Sequence, residues 1–171
     1  MALIDEIQLW DKKSKLAIRQ VYLEHGKSKN FLTDLVGCAK VPETQCGATW
    51  LIKHHLEQGG QHPTPEDLHR IILAAPGMPE WTSRLHVLQL IHFLNIPASA
   101  ADNARIFFLL GVQDENKFIR AWSYSAMGHL AEQHDEYREE AVLLIHDALD
   151  KELAGSIRSR LNKALKRLSN F

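Results

Sequence analysis

The sequence predicts an all-α protein, a right-handed α-solenoid in which helical hairpins stack one on another. A segment that begins at Phe118 repeats at Ser156 without a gap, and a weaker copy lies upstream. Arg84, Arg120 and Arg158 hold equivalent places in the three copies, 36 and 38 residues apart, which is a period typical of helical-repeat arrays. Helical apolar spacing runs through the chain, whereas alternating strand patterns and hairpin-turn dipeptides are almost absent.

Breaker residues divide the helical pattern into an N-terminal helical pair and four further pairs. The first pair ends near Gly26, and Thr64 followed by Pro65 is typical of a helix start. Two prolines and a glycine within 76–79 must interrupt the third pair of helices. The predicted helices span residues 3–11, 13–25, 30–40, 43–58, 65–75, 80–95, 100–112, 116–133, 137–151 and 154–169.

One domain is predicted over 1–171, with the N-terminal helices in 1–28 and the four hairpin repeats in 29–171. A chain of 171 residues with 45% apolar and 24% charged residues has the size and composition of a single globular domain. At this length a hydrophobic core forms without the help of disulfides or metals.

The second helix of each pair is aligned on a closing leucine, which is Leu56, Leu94, Leu130 or Leu168. In the second to fourth copies the apolar residues before that leucine fall on one helical face, and a small residue followed by a large one lets neighbouring helices approach closely. The first copy fits loosely, since Lys53 would fall at a core position. The predicted core positions are Ser83, Val87, Leu90, Ile91 and Leu94 in the second copy, Ile119, Ser123, Ala126, Met127 and Leu130 in the third, and Ile157, Leu161, Ala164, Leu165 and Leu168 in the fourth.

The segment from Asp114 to Leu130 resembles the HEAT repeat, and the resemblance extends over about residues 30–170. It implies a ladder between repeats, in which the loop aspartate and the early arginine of the second helix take part, here Asp114 and Arg120. The other copies depart from the pattern, since Ser83 stands where isoleucine is expected and Cys46 replaces the arginine of the first copy. The family serves many unrelated functions, so the resemblance implies a fold and a binding surface only.

In HEAT-like arrays the second helices usually line the concave face, so their outward positions form a candidate partner-binding surface. The surface changes from imidazole-rich and apolar to basic along the chain, and an exposed Trp122 would mark a contact site. The alternatives are that Trp122 packs against a neighbouring loop and that the basic last helix is a solvated cap. The predicted contact residues are His55, His86, Gln89, Phe93, Trp122, Ser125, His129, Arg160, Lys163 and Arg167, with Ala48 and Leu51 in the same rows.

No catalytic, cofactor or metal site is expected from the sequence, although ten histidines make a metal worth considering. His129 and His134 are five residues apart, which is not the spacing that places two ligands on one helical face. His54 and His92 lie on adjacent second helices and could approach each other, but no further ligand is evident. HEAT-like di-iron hydroxylases carry repeated His-Glu dipeptides, and this chain has none.

Charge and targeting signals exclude other classes. The formal net charge is -1, which gives no overall basic field for nucleic acid. Asp5 and Glu6 stand where a secretory signal needs bases, and no apolar stretch reaches 18 residues. Cys38 and Cys46 form no metal-type pair and are expected to be reduced thiols, so a cytoplasmic location is predicted.

Two functions of different classes remain open. The first is a non-enzymatic protein-protein interaction module, an adaptor, assembly factor or inhibitor that binds a protein or peptide and no membrane. The second is a nucleic-acid-binding protein that resembles the HEAT-like bacterial DNA alkylation-repair glycosylases, with Trp81, Trp122 and Arg160 in a cleft. Two observations argue against this second function. The outward positions of the second helices contain no acidic residue, and the net charge of the chain is not basic.

Overall fold

The computed structural model describes residues 1–169, which contain ten α-helices and no β-strand. The all-α prediction is confirmed, and each predicted helix is present within a few residues of its expected bounds. Within these residues, no helix combines the length and the apolar character that crossing a bilayer requires. The helices are α1 Leu3–Leu9, α2 Lys15–His25, α3 Phe31–Cys38, α4 Gln45–Glu57, α5 Pro65–Ala74, α6 Trp81–Leu90, α7 Ala98–Gly111, α8 Lys117–Gln133, α9 Arg138–Lys151 and α10 Gly155–Leu168.

Local capping explains where several helices begin. The Thr64 hydroxyl accepts a hydrogen bond from the Asp67 amide at 3.1 Å, directly before Pro65. The Asn116 side chain accepts from the Phe118 amide at 2.9 Å in the same way. These side chains satisfy amides that have no partner within the helix. The helix predicted over 80–95 ends earlier as an α-helix, because its last turn, Ile91–Phe93, tightens into a 3₁₀ helix.

The chain divides into two compact units, of which the first, Met1–Phe93, contains α1–α6. Helix α4 is central in this unit and packs against α1, α2, α3 and α6. Leu51 and Ile52 of α4 are fully buried. Gly47 lets α1 approach the α4 backbone, since a Cβ at this position would lie 2.6 Å from Ile7 Cγ2. The unit therefore has its own hydrophobic core around α4.

The second unit begins at Leu94 and contains α7–α10, with α8 in contact with α7, α9 and α10. Every predicted core residue of α8, from Ile119 to Leu130, is at most 1% exposed. In α10 the prediction fails at Leu165, which is half-buried. Among the described residues, helix α10 packs mainly against α8 and α9, so a residue beside the centre of its inner face stays open to solvent.

The three repeated arginines share one structural role. Each guanidinium donates to a backbone carbonyl six residues earlier, in the loop or helix end that precedes its own helix. Hydrogen bonds to charged donors are stronger than neutral ones, so each arginine fixes the turn of its hairpin. The carbonyl partners are Met78 and Pro79 for Arg84, Asp114 and Glu115 for Arg120, and Glu152 and Leu149 for Arg158.

Arg120 also reaches the next repeat. Its Nε donates to Glu152 Oε1 at 2.8 Å, while its Nη1 donates to the Asp114 carbonyl at 3.0 Å. The expectation that Arg120 lies near Asp114 or an acid of the adjacent repeat is therefore confirmed. The Asp114 carboxylate itself accepts from the Asn116 amide at 2.8 Å, which shapes the loop before α8.

Candidate partner-binding surface

Trp122 of α8 and Arg160 of α10 form the centre of the candidate surface. The guanidinium carbon of Arg160 lies 3.8 Å from the centroid of the Trp122 ring, and both side chains are partly exposed. The two helices come close because Gly128 has no side chain, and a Cβ there would lie 3.2 Å from Ala164 Cβ. Glycine on one helix and alanine on the other thus make the cation–π contact sterically possible.

A carboxylate that is not among the predicted contact residues joins this surface. Glu132 of α8 lies 3.0 Å from Arg167 Nε and 3.5 Å from His129 Nδ1. Burial lowers the pKa of Arg160, and the neighbouring charge of Arg167 lowers it further. The structure thus brings four predicted contact residues together on α8 and α10. It also adds Glu132, which was not predicted because it stands three residues after His129, outside the aligned outward positions.

Helix α10 makes this surface basic. It carries five arginine and lysine residues and no acid. Lys163 and Lys166 are exposed, and within 1–169 no ion pair involves either of them. Such a helix attracts anionic groups over about 10 Å at moderate salt.

Three side chains near the end of α8 bind backbone groups of the segment that begins the second unit. His129 Nε2 lies 3.0 Å from the Leu94 carbonyl oxygen, and His134 Nε2 donates to the Ile96 carbonyl at 2.8 Å. Gln133 binds the same turn, since its Oε1 accepts from the Ile96 amide at 2.7 Å. His129 is therefore a half-buried structural residue as well as a neighbour of Arg167.

In the first unit, half-buried His86 of α6 packs against α4. Its Nδ1 lies 3.1 Å from Thr49 Oγ1, and burial, with a smaller effect of Lys53, lowers the pKa of His86 to about 4. The imidazole is neutral at neutral pH. Gln89 is half-buried, whereas Phe93 remains 42% exposed at the end of this unit.

The expected outward orientation is wrong for several positions. His55 is 8% exposed and Ser125 is 4% exposed, and Ala48 and Leu51 are fully buried. The reason is that α4 and α8 are covered by helices on more than one side, so rows beside the core face are enclosed too. His55 instead packs beside Tyr22, whose hydroxyl lies 3.3 Å from His55 Nδ1, and burial lowers the pKa of His55.

One group of side chains in the described part of the chain offers three metal-type ligand atoms within 4.8 Å of one another, namely Glu6, Glu24 and His25. His25 Nε2 lies 3.1 Å from Glu6 Oε1, and the Gln20 amide donates to Glu24 Oε1 at 2.8 Å. These contacts account for both carboxylates without an ion. Only the adjacent Glu24 and His25 could have signalled this group in the sequence, because Glu6 belongs to another helix.

No protein-family model, no curated protein and no solved structure matches this chain. The resemblance to HEAT repeats therefore depends on the residues of the repeats alone.

Proposed function

We propose that this chain is a non-enzymatic protein-interaction module that binds a protein or peptide on the surface of α8 and α10. The observation that carries the proposal is the Arg160–Trp122 stack beside a helix with five bases and no acid. In the proposed architecture, four HEAT-like hairpins form a right-handed α-solenoid after an N-terminal helical pair. An adaptor, an assembly factor or an inhibitor would use such a surface.

The chemistry of this surface favours an acidic partner segment with an apolar or aromatic side chain. A cation–π contact uses none of the N–H donors of Arg160, so they can still bind a carboxylate. Exposed Lys163 and Lys166 add positive charge on the same helix. Aromatic and arginine residues are also the residues that most often dominate binding energy at interfaces.

We also propose a cytoplasmic location. The two cysteines, Cys38 and Cys46, are buried and free, and burial raises the pKa of both thiols. Free buried thiols are typical of a reducing compartment, where disulfides are rare. Expression with a fluorescent tag and microscopy would test this location.

The proposal is tested by affinity capture from an extract of the cells that make the protein. The double charge reversal Lys163→Glu with Lys166→Glu should remove the captured partner, because it replaces two positive charges on α10 by negative ones. A matched control is Lys27→Glu with Lys29→Glu, which makes the same change at exposed positions of the first unit. Quantitative mass spectrometry should show proteins that the control retains and the α10 variant loses, and identical protein sets would contradict the proposal.

A second candidate function is nucleic-acid binding, which the resemblance to the alkylation-repair glycosylases implies. The observation that favours it is the proximity of Trp122, which could stack on a base, to the cations of α10. A gel-shift experiment at about 50 mM salt with duplex and single-stranded DNA and RNA decides between the two. Retention that falls steeply with salt and disappears in the α10 variant would replace the first proposal, because phosphate contacts release counterions.

A further inference from the structure

A groove lies between α7 and α9 in the second unit. It is not part of the surface that α8 and α10 form. Its volume is about 440 Å³, and it is lined by Leu109 of α7 and by residues at the beginning of α9 and just before it. Leu109, Leu143 and Leu144 form the apolar part, and Glu136, Glu139 and Glu140 form the acidic part. An apolar floor with an acidic rim is thus present on one side of this unit.

Leu143 of the groove projects into solvent, and α7 carries two further exposed apolar side chains. Leu143 is 63% exposed, and on α7 Leu110 is 58% and Ile106 is 51% exposed. Ile106 and Leu110 are four residues apart and therefore share one face of α7. An exposed leucine that lines a groove, as Leu143 does, is typical of a contact site.

The charge of the groove is negative after its internal ion pair is taken into account. Arg105 binds both carboxylate oxygens of Glu140 at 2.5 Å, which neutralises that acid. Glu136 and Glu139 remain exposed. Glu136 Oε1 lies 3.9 Å from His134 Nδ1. The helix dipole favours acids in the first turn of α9, but it does not account for the exposed leucines beside them.

We infer that this groove docks a basic amphipathic segment of a protein partner. Its lysine or arginine residues would bind Glu136 and Glu139, and its apolar residues would cover Leu143 and Leu144. Charge complementarity selects this occupant. Helix α10 of a second copy does not fit, because its apolar residues are buried in its own core. Those residues are Ile157, Leu161, Ala164 and Leu168.

The inference does not depend on the α8 and α10 surface, which has the opposite charge and would take a different partner. Its test uses a fluorescein-labelled model peptide of about 14 residues, with leucine and lysine at helical spacing. Fluorescence polarisation measures binding to the full chain at about 50 mM salt. The variants Leu143→Ser and Glu139→Lys should each weaken binding about fivefold or more, since each removes a groove contact.

Matched controls keep the experiment decisive. Leu73→Ser changes a leucine that is 54% exposed on α5, and Glu66→Lys reverses a first-turn acid of α5 that is 73% exposed. Both controls should bind the peptide as the wild type does, and a peptide with glutamate in place of lysine should not bind. Lack of wild-type binding, equal loss in the controls, or equal binding of the glutamate peptide would overturn the inference. The Lys163→Glu, Lys166→Glu variant should keep peptide binding, so failure here and failure of the proposed function are distinguishable.

Discussion

The helix pairs α4–α6 and α8–α10 use the same repeat positions in opposite ways. In the aligned repeats, Ala48 and His86 occupy the place that Trp122 and Arg160 occupy in the later copies. Ala48 is fully buried and half-buried His86 contacts Thr49 of the same pair, whereas Arg160 stacks on half-buried Trp122 at 3.8 Å. The same repeat position therefore carries a histidine that binds a hydroxyl of the neighbouring helix in one pair and a cation–π contact in the other, according to the chemistry of the side chain.

The physical reason is the different cost of removing these groups from water. A neutral imidazole with one hydrogen bond is buried at modest cost, and its pKa falls so that it stays neutral. A guanidinium remains charged at all ordinary pH values, so its burial would cost far more. Arg160 therefore keeps an open side and covers only the ring of Trp122.

The largest expected effect tests whether α8 is an apolar core helix throughout. Met127 is fully buried, so Met127→Ala should lower the free energy of unfolding by ~2–5 kcal/mol through lost burial and a cavity. Urea denaturation monitored by circular dichroism measures this change. Ser125→Ala is the control, and it should cost less because alanine leaves a much smaller cavity at that buried site. Midpoints in the reverse order would contradict the orientation of α8.

The second effect tests the enclosed polar side chain of the α4–α6 pair. Because burial lowers the pKa of His86 to about 4 from an ordinary value of 6.5, the unfolded chain takes up a proton before the folded protein does. The stabilisation is complete above the unfolded pKa, decreases as the pH falls below it, and is fully lost below the folded pKa. By about pH 5 the free energy of unfolding should have fallen by about 2 kcal/mol.

The variant His86→Gln isolates this contribution, because glutamine can hydrogen-bond to Thr49 without titrating. Urea midpoints at about pH 7.5 and about pH 5 should differ less for the variant than for the wild type. An unchanged difference would show that His86 does not carry the acid sensitivity, and His54 and His55, whose pKa values burial also lowers, would be tested next.

The smallest effect tests the exposed contact of the α8–α10 pair. In a double-mutant cycle of Arg160→Gln and Trp122→Leu, the coupling energy should be about 0.5–1 kcal/mol, as expected for a partly exposed cation–π pair. Lys163→Gln replaces Arg160→Gln in a control cycle, and it should show no coupling to Trp122→Leu. A coupling near zero for Arg160 would mean that the stack contributes nothing to stability and that only binding could select it.

Most of the fold could be predicted because helix ends and core faces depend on short-range patterns. The Thr64–Pro65 start, the glycine and proline breakers and the repeated arginine all act within a few residues of their own position. The error at Leu165 has a different origin, since α10 lacks the additional neighbour that encloses Met127 at the equivalent place in α8. The number of helices around a residue is a tertiary property.

The candidate site could be predicted only in part, for the same reason. The aromatic and basic residues Trp122, Arg160 and Arg167 were predicted from their rows, and the structure brings them together on α8 and α10. His55 and Ser125 were misplaced, because helices on several sides cover them. The groove between α7 and α9 gave no signal in the sequence, since its leucines and acids belong to different helices and to ordinary amphipathic patterns.

The expectation for Arg120 came from the resemblance to the HEAT repeat. By itself, the sequence determined the helical class, the order and approximate bounds of ten helices, and the core face of the repeated second helices. Each of these follows from residue spacing along one or two adjacent helices. Tertiary structure alone decided which side chains are enclosed, that Glu132 joins Arg167 to His129, and that an acidic apolar groove opens between α7 and α9. These features depend on how many helices surround a residue, which is a matter of packing that local periodicity does not encode.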